Sequence, residues 1–78
     1  MSGYYINKIR FFSDIDSVVY NLVQKSKETK KQAAVSLAEL ELKYSLKYGF
    51  SRSAIVKRLK IHEDLGSITI TESEVKTK

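Results

Sequence analysis

Cysteine and proline are both absent from this chain of 78 residues, histidine occurs once and glycine three times. Without cysteine there is neither a disulfide framework nor a thiolate metal site. The lone His62 has no acids spaced to complete a zinc site with it. Three scattered glycines cannot build the glycine-rich loop that cradles phosphates. No serine, histidine and acid are grouped locally as a hydrolytic set. No apolar run approaches the roughly 18 residues of a membrane span. The opening MSGYYINKIRFF also lacks the basic-then-apolar order of a secretory signal. These absences predict a soluble cytoplasmic protein that is not an enzyme, holds no cofactor or metal, and shows no evident small-molecule ligand.

Acid is also missing where it would ordinarily be expected. The net charge is +5, and its distribution says more than its total. Residues 1–24 balance Lys8 and Arg10 against Asp14 and Asp16, whereas residues 25–31 carry four lysines against Glu28. Residues 43–62 hold Lys43, Lys47, Arg52, Lys57, Arg58 and Lys60 without a single acid, and the acids return at Glu63, Asp64, Glu72 and Glu74. A solvated helix usually mixes both signs three or four residues apart. A one-signed segment therefore raises the idea of a polyanionic partner.

Hydrophobic residues make up 42%, enough for the core of one small domain. With no proline, boundaries are read from periodicity and caps. Residues 1–12 form an arm rich in aromatics. Ser13 is expected to cap a first helix over 13–26, with Asp14 and Asp16 in its first turn and Ile15, Val18, Val19, Leu22 and Val23 on one face. Ser36 and Glu39 form a capping-box pattern opening a second helix over 36–47, with Leu37, Leu40 and Tyr44 inward and Leu46 beside them. Ala33 to Val35 can pair as a short strand; an alternative merges 28–47 into one long helix. Gly49 stops the second helix, and Ser51 caps a third over 51–65. After Gly66, SITIT alternates as a half-buried strand, and VKTK returns after a turn, which makes residues 67–78 a hairpin.

Two short helices joined by a tight turn make a helix-turn-helix, and a hairpin behind it makes a wing. Ser51-Arg52-Ser53-Ala54-Ile55-Val56-Lys57-Arg58-Leu59, followed by Leu65-Gly66-Ser67-Ile68, resembles the recurring pattern of the winged helix-turn-helix DNA-binding family. The resemblance runs from Ser36 to Ile70, and the first helix also stands where that family expects it. The scale and the cysteine-free composition are similar to small regulators of archaea and their viruses or plasmids. His62, where the family carries a core leucine, and the acidic wing tip at Glu72 and Glu74 depart from it. The resemblance implies an α+β fold, three helices with a C-terminal wing, that binds double-stranded DNA in a sequence-specific way as a transcriptional regulator.

On the third helix, 100° per residue puts Ile55, Leu59, His62 and Leu65 inward and turns Ser53, Lys57, Lys60 and Asp64 outward, with Val56 and Arg52 at the edge. Ser51, Arg52, Ser53, Val56, Lys57 and Lys60 are the candidate DNA contacts. Arg and Lys reach guanine acceptors or phosphates, and valine can touch a thymine methyl. Lys30, Lys31, Lys47 and Lys76 are candidate phosphate contacts. Arg58 points toward the inward side. His62 reads as a satisfied histidine at the core edge, and Tyr44 and Tyr48 read as packing residues. A homodimer through the arm and first helix is expected, because residues 4–12 carry four aromatics that a small core cannot fully cover. The rival readings are a winged helix used for protein contact and a ribbon-helix-helix protein whose YYINKIRFF segment pairs as a DNA-reading strand.

Overall fold

A row of apolar side chains at helical spacing, Phe11, Ile15, Val19 and Leu22, is buried along the inner face of the first helix. The computed structural model describes residues 3–78, and side chains from Asn7 onward. The aromatic side chains expected in the arm at Tyr4 and Tyr5, with Ile6, lie outside those described.

Helix α1 spans Gly3–Thr29, long past both ends of the 13–26 expected from sequence. Ser13 is not a cap. Nothing between Tyr4 and Phe12 breaks a helix, and Phe11 sits four residues before Ile15, so the inward row simply continues upstream. A helix of 27 residues is roughly 40 Å long, which accounts for the 44 Å long axis of the molecule. Asp14 and Asp16 are consequently mid-helix residues, and dipole stabilisation does not explain them. The helical YYINKIRFF segment also removes the strand that a ribbon-helix-helix fold needs. Lys30, at φ 57°, takes the left-handed turn that ends α1.

Strand β1 (Ala34–Ser36) separates α1 from the next helix, so the merged helix over 28–47 does not form. Ser36 caps as expected, its hydroxyl accepting from Glu39 N–H at 3.0 Å. Helix α2 runs as Leu37–Leu40, a π-helical turn Glu41–Ser45, and Leu46–Tyr48. Leu37, Leu40 and Tyr44 are buried. Leu46 is 80% exposed, because two residues beyond Tyr44 a helix has turned to its opposite face. Gly49, at φ 77°, supplies the left-handed residue that turns the chain toward the next helix.

Helix α3 spans Arg52–Asp64, with Ile55 and Leu59 fully buried. Ser51 occupies the cap position without a side-chain cap bond; its carbonyl instead accepts from Ala54 and Ile55 N–H. Leu65, expected inward, is 75% exposed because it falls at the helix end, just before Gly66 at φ 86° turns the chain. Strands β2 (Ile68–Ile70) and β3 (Glu74–Thr77) form the expected hairpin. The sheet has three strands in the order β1-β3-β2, all antiparallel, with Val35 and Ile70 both opposite Val75. The fold is thus α+β, with three helices and a small antiparallel sheet. Among the described residues no helix is long and apolar enough to cross a membrane.

Leu59 is fully buried in the cluster formed by α1, α2, α3 and the hairpin. Leu59→Ala is expected to cost about 2–5 kcal/mol, a transfer loss plus a partly relaxed cavity. Urea denaturation followed by circular dichroism measures it; a loss within surface-mutation scatter would mean α3 is rotated from this position.

Candidate nucleic-acid interface

Four cations lie on α3, and three of them already hold acids, two supplied from other helices and one from α3 itself. Arg52 Nε donates to Glu41 Oε1 at 3.1 Å and its Nη2 lies 2.9 Å from the same oxygen. Arg58 grips Asp16 of α1 with both edges of its fork, Nε to Oδ1 at 3.0 Å and Nη2 to Oδ2 at 2.6 Å. Its guanidinium also stacks 4.4 Å from the centroid of the Phe12 ring. Lys60 sits 3.3 Å from Glu63 and 3.8 Å from Asp64, the i,i+3 and i,i+4 spacings of a solvated helix face. Lys57 is exposed and has no acid partner among the described residues. The acid-free stretch is therefore largely neutralised in space by acids that lie outside it in sequence, or at its edge.

The candidate contacts divide by burial. Ser51, Arg52, Ser53, Lys57 and Lys60 are exposed on or at the start of α3; by helical spacing Ser53, Lys57 and Lys60 share its outer side and Arg52 stands at the edge. Val56 is half-buried and packs against the core, so it offers only its edge to that surface. The four lysines proposed as phosphate contacts are not gathered there. Lys30 and Lys31 lie in the loop after α1 and Lys76 in the central strand, opposite Ala34 and Thr69. Lys47 is engaged by Asp14 at 3.2 Å and covers the Tyr48 ring at 5.1 Å.

Asp14 and Asp16 act as the anchors between α1 and the two other helices, a role the sequence pattern did not reveal. Asp14 accepts the Tyr48 hydroxyl at 2.5 Å. That hydrogen bond, with Lys47 beside it, lowers the Asp14 pKa despite some burial; the same bond and burial raise that of Tyr48 against the opposing effect of Lys47. His62 Nε2 lies 2.7 Å from Asp16 Oδ1, where the imidazole must donate because an ionised carboxylate only accepts. The Arg58 hydrogen bond, then that of His62, outweighs burial and depresses the Asp16 pKa. No local signal links residues this far apart in the chain. Glu63 has a similar hidden role: its Oε2 accepts the Ile70 N–H at 2.9 Å, tying α3 to β2 and lowering its own pKa.

Among the described residues, no cluster of three or more His, Cys, Asp and Glu side chains is placed to hold a metal. Compared with protein-family models, curated proteins and solved structures, the chain matches none.

A depressed carboxylate pKa stabilises the fold above the unfolded aspartate pKa near ~3.9, and the contribution fades as pH falls through the lower folded value. Asp16→Asn is therefore expected to cost about 1–2 kcal/mol at neutral pH, reduced from a fully buried pair by solvent screening. Urea denaturation at about pH 7 and about pH 3 should show the gap between wild type and variant closing in acid. A gap independent of pH would remove the carboxylate from the role assigned to it.

Proposed function

We propose that the chain is a winged helix-turn-helix protein that binds double-stranded DNA in a sequence-specific way and serves as a transcriptional regulator. The observation that carries this reading is the exposed N-terminal part of α3, which holds Ser51, Arg52, Ser53 and Lys57. It begins directly after the Gly49 turn, is left uncovered by α1 and the sheet, and is followed by the β2–β3 hairpin. An exposed helix of this length fits the major groove, and its side chains offer hydroxyls, a fork of donors and one free ammonium. The hairpin would serve as the wing; its tip carries Glu72, which argues against close approach of the tip to phosphate.

The exposed leucines Leu42 (68%) and Leu46 (80%) on α2 favour a second reading, a winged helix used for protein contact. The two readings respond oppositely to salt. DNA binding through Lys57 must weaken as salt rises, whereas a protein-contact module shows no useful duplex affinity. We expect the intact chain to bind duplex DNA with a negative salt slope. Lys57→Ala should weaken binding to all sequences alike and reduce that slope by about one. Fluorescence anisotropy at several salt concentrations measures both; unchanged affinity and slope would remove Lys57 from the interface.

One short recognition helix covers a modest footprint, so the reading includes a two-fold homodimer on half-sites about one turn apart. Its surface is placed on α1, where Ile9 is 54% and Tyr20 63% exposed, and where Ser13 and Ser17 leave room between them for a second helix. An antiparallel partner would set Ile9 of each copy beside Tyr20 of the other. Light scattering at micromolar concentration is expected to give twice the chain mass, and Ile9→Glu with Tyr20→Glu to give the monomer. A monomeric wild type that still binds DNA specifically would refute the dimer.

A further inference from the structure

We infer that Arg52 and Glu41 together form a guanine-reading site, with Glu41 as the positioning residue that aims the Arg52 fork. The inference rests on the DNA-binding reading and names the base that the α3 surface selects. Glu41 belongs to the π-helical turn of α2, and Arg52 is the first residue of α3. The carboxylate Oε1 takes the Nε–H at 3.1 Å and lies 2.9 Å from Nη2, so one edge of the guanidinium is occupied. A guanidinium has five donors in a plane. The occupied edge uses one on Nε and one on Nη2, leaving the end-on pair across Nη1 and Nη2 open.

Two properties of this pair decide what it suits. Its net charge is close to zero, so it is a poor phosphate ligand: whatever attraction Arg52 has for a phosphate, Glu41 opposes from a few ångströms away. The free ammonium of Lys57 fits the phosphate role instead. What Arg52 retains is direction, two parallel donors in a plane that the Glu41 contact orients, so less conformational freedom is lost on contact. Guanine alone presents two adjacent acceptors, O6 and N7, on its major-groove edge. Adenine places an amino donor beside N7, cytosine offers a donor, and thymine has one acceptor beside a methyl group. The open edge of Arg52 is therefore complementary to guanine and mismatched to the other three bases.

The test uses the intact chain and a pool of random duplexes of about 20 base pairs, long enough for two half-sites one turn apart. Selection with wild type is expected to fix a guanine at one position of each half-site. Replacing that guanine by 7-deazaguanine, which lacks the N7 acceptor, should lower affinity about tenfold. Arg52→Ala should lose the guanine preference and bind the selected duplex about tenfold more weakly. Glu41→Gln should keep or increase random-duplex affinity yet discriminate less well between guanine and the other bases, which a merely structural pair would not do. Circular dichroism confirms that both variants fold. A guanine preference that survives Arg52→Ala, or a selected site with no fixed guanine, would overturn the inference and leave DNA binding standing. A salt slope reduced by about one in Arg52→Ala, with the base profile unchanged, would make Arg52 a phosphate contact and overturn it equally. Absence of any salt-dependent duplex binding would overturn both this inference and the reading beneath it.

Discussion

The buried row on α1 is the constraint on which the rest of the structure depends. Phe11, Ile15, Val19 and Leu22 belong to the same cluster as Ile55 and Leu59 of α3 and Ile68 and Val75 of the hairpin. A chain of this size without disulfides has little surface to bury, so each element must lean on the one helix long enough to serve them all. Packing alone is non-directional; it brings α2 and α3 against α1 without fixing their rotation. Asp14 and Asp16 supply that missing direction. One carboxylate holds Tyr48 and Lys47 at the end of α2, the other holds Arg58 and His62 on α3. Between them they set the angle at which α3 presents its outer face.

This arrangement reconciles a helix rich in cations with a fold that tolerates them. Arg58 and Lys60 look alike in sequence to Arg52 and Lys57, yet Arg58 is half-buried on Phe12 and locked to Asp16. Its charge contributes to the joint between helices and is not available to a partner. Glu63 does the same for the sheet, using one oxygen on Lys60 and the other on the Ile70 amide. Charge that appears surplus along the chain is thus divided between holding the fold and facing outward.

The parts of this that were legible in the sequence are the local ones. Period-two alternation at Ile68 and Ile70, the Ser36–Glu39 cap, the left-handed glycines at 49 and 66 and the inward pair Ile55–Leu59 each depend on residues within a few positions of one another. The failures have equally specific causes. Ser13 and the two aspartates looked like a helix start because an N-terminus and a mid-helix ion pair use the same residue types. Leu46 was expected beside the inward row and Leu65 inward by its angle; the first has turned to the opposite face and the second falls where the helix ends, so both are exposed. At the candidate interface, the identities of the exposed residues were readable from the helical wheel. The acids that neutralise them were not, since Glu41 and Asp16 reach α3 only through the fold.

That neutralisation bears on how such a surface can bind at all. Each phosphate neutralised adds roughly 0.9 to the salt slope, and α3 offers one cation, Lys57, without an acid beside it among the described residues. If the chain binds a duplex as proposed, the non-specific attraction that α3 itself supplies would be correspondingly weak, because attraction of that kind is almost wholly electrostatic. On the proposed reading, a protein built this way would gain little from charge on α3 alone and would draw its affinity from directional contacts and from a second recognition helix. Linking two such helices raises affinity through effective concentration without adding charge. The same economy sharpens discrimination: when the sequence-independent term is small, the difference between a correct and an incorrect site makes up more of the total binding free energy. On the proposed DNA-binding reading, the neutral Arg52–Glu41 pair and the exposed outer face of α1 would be parts of one solution to a recognition surface that is short of charge.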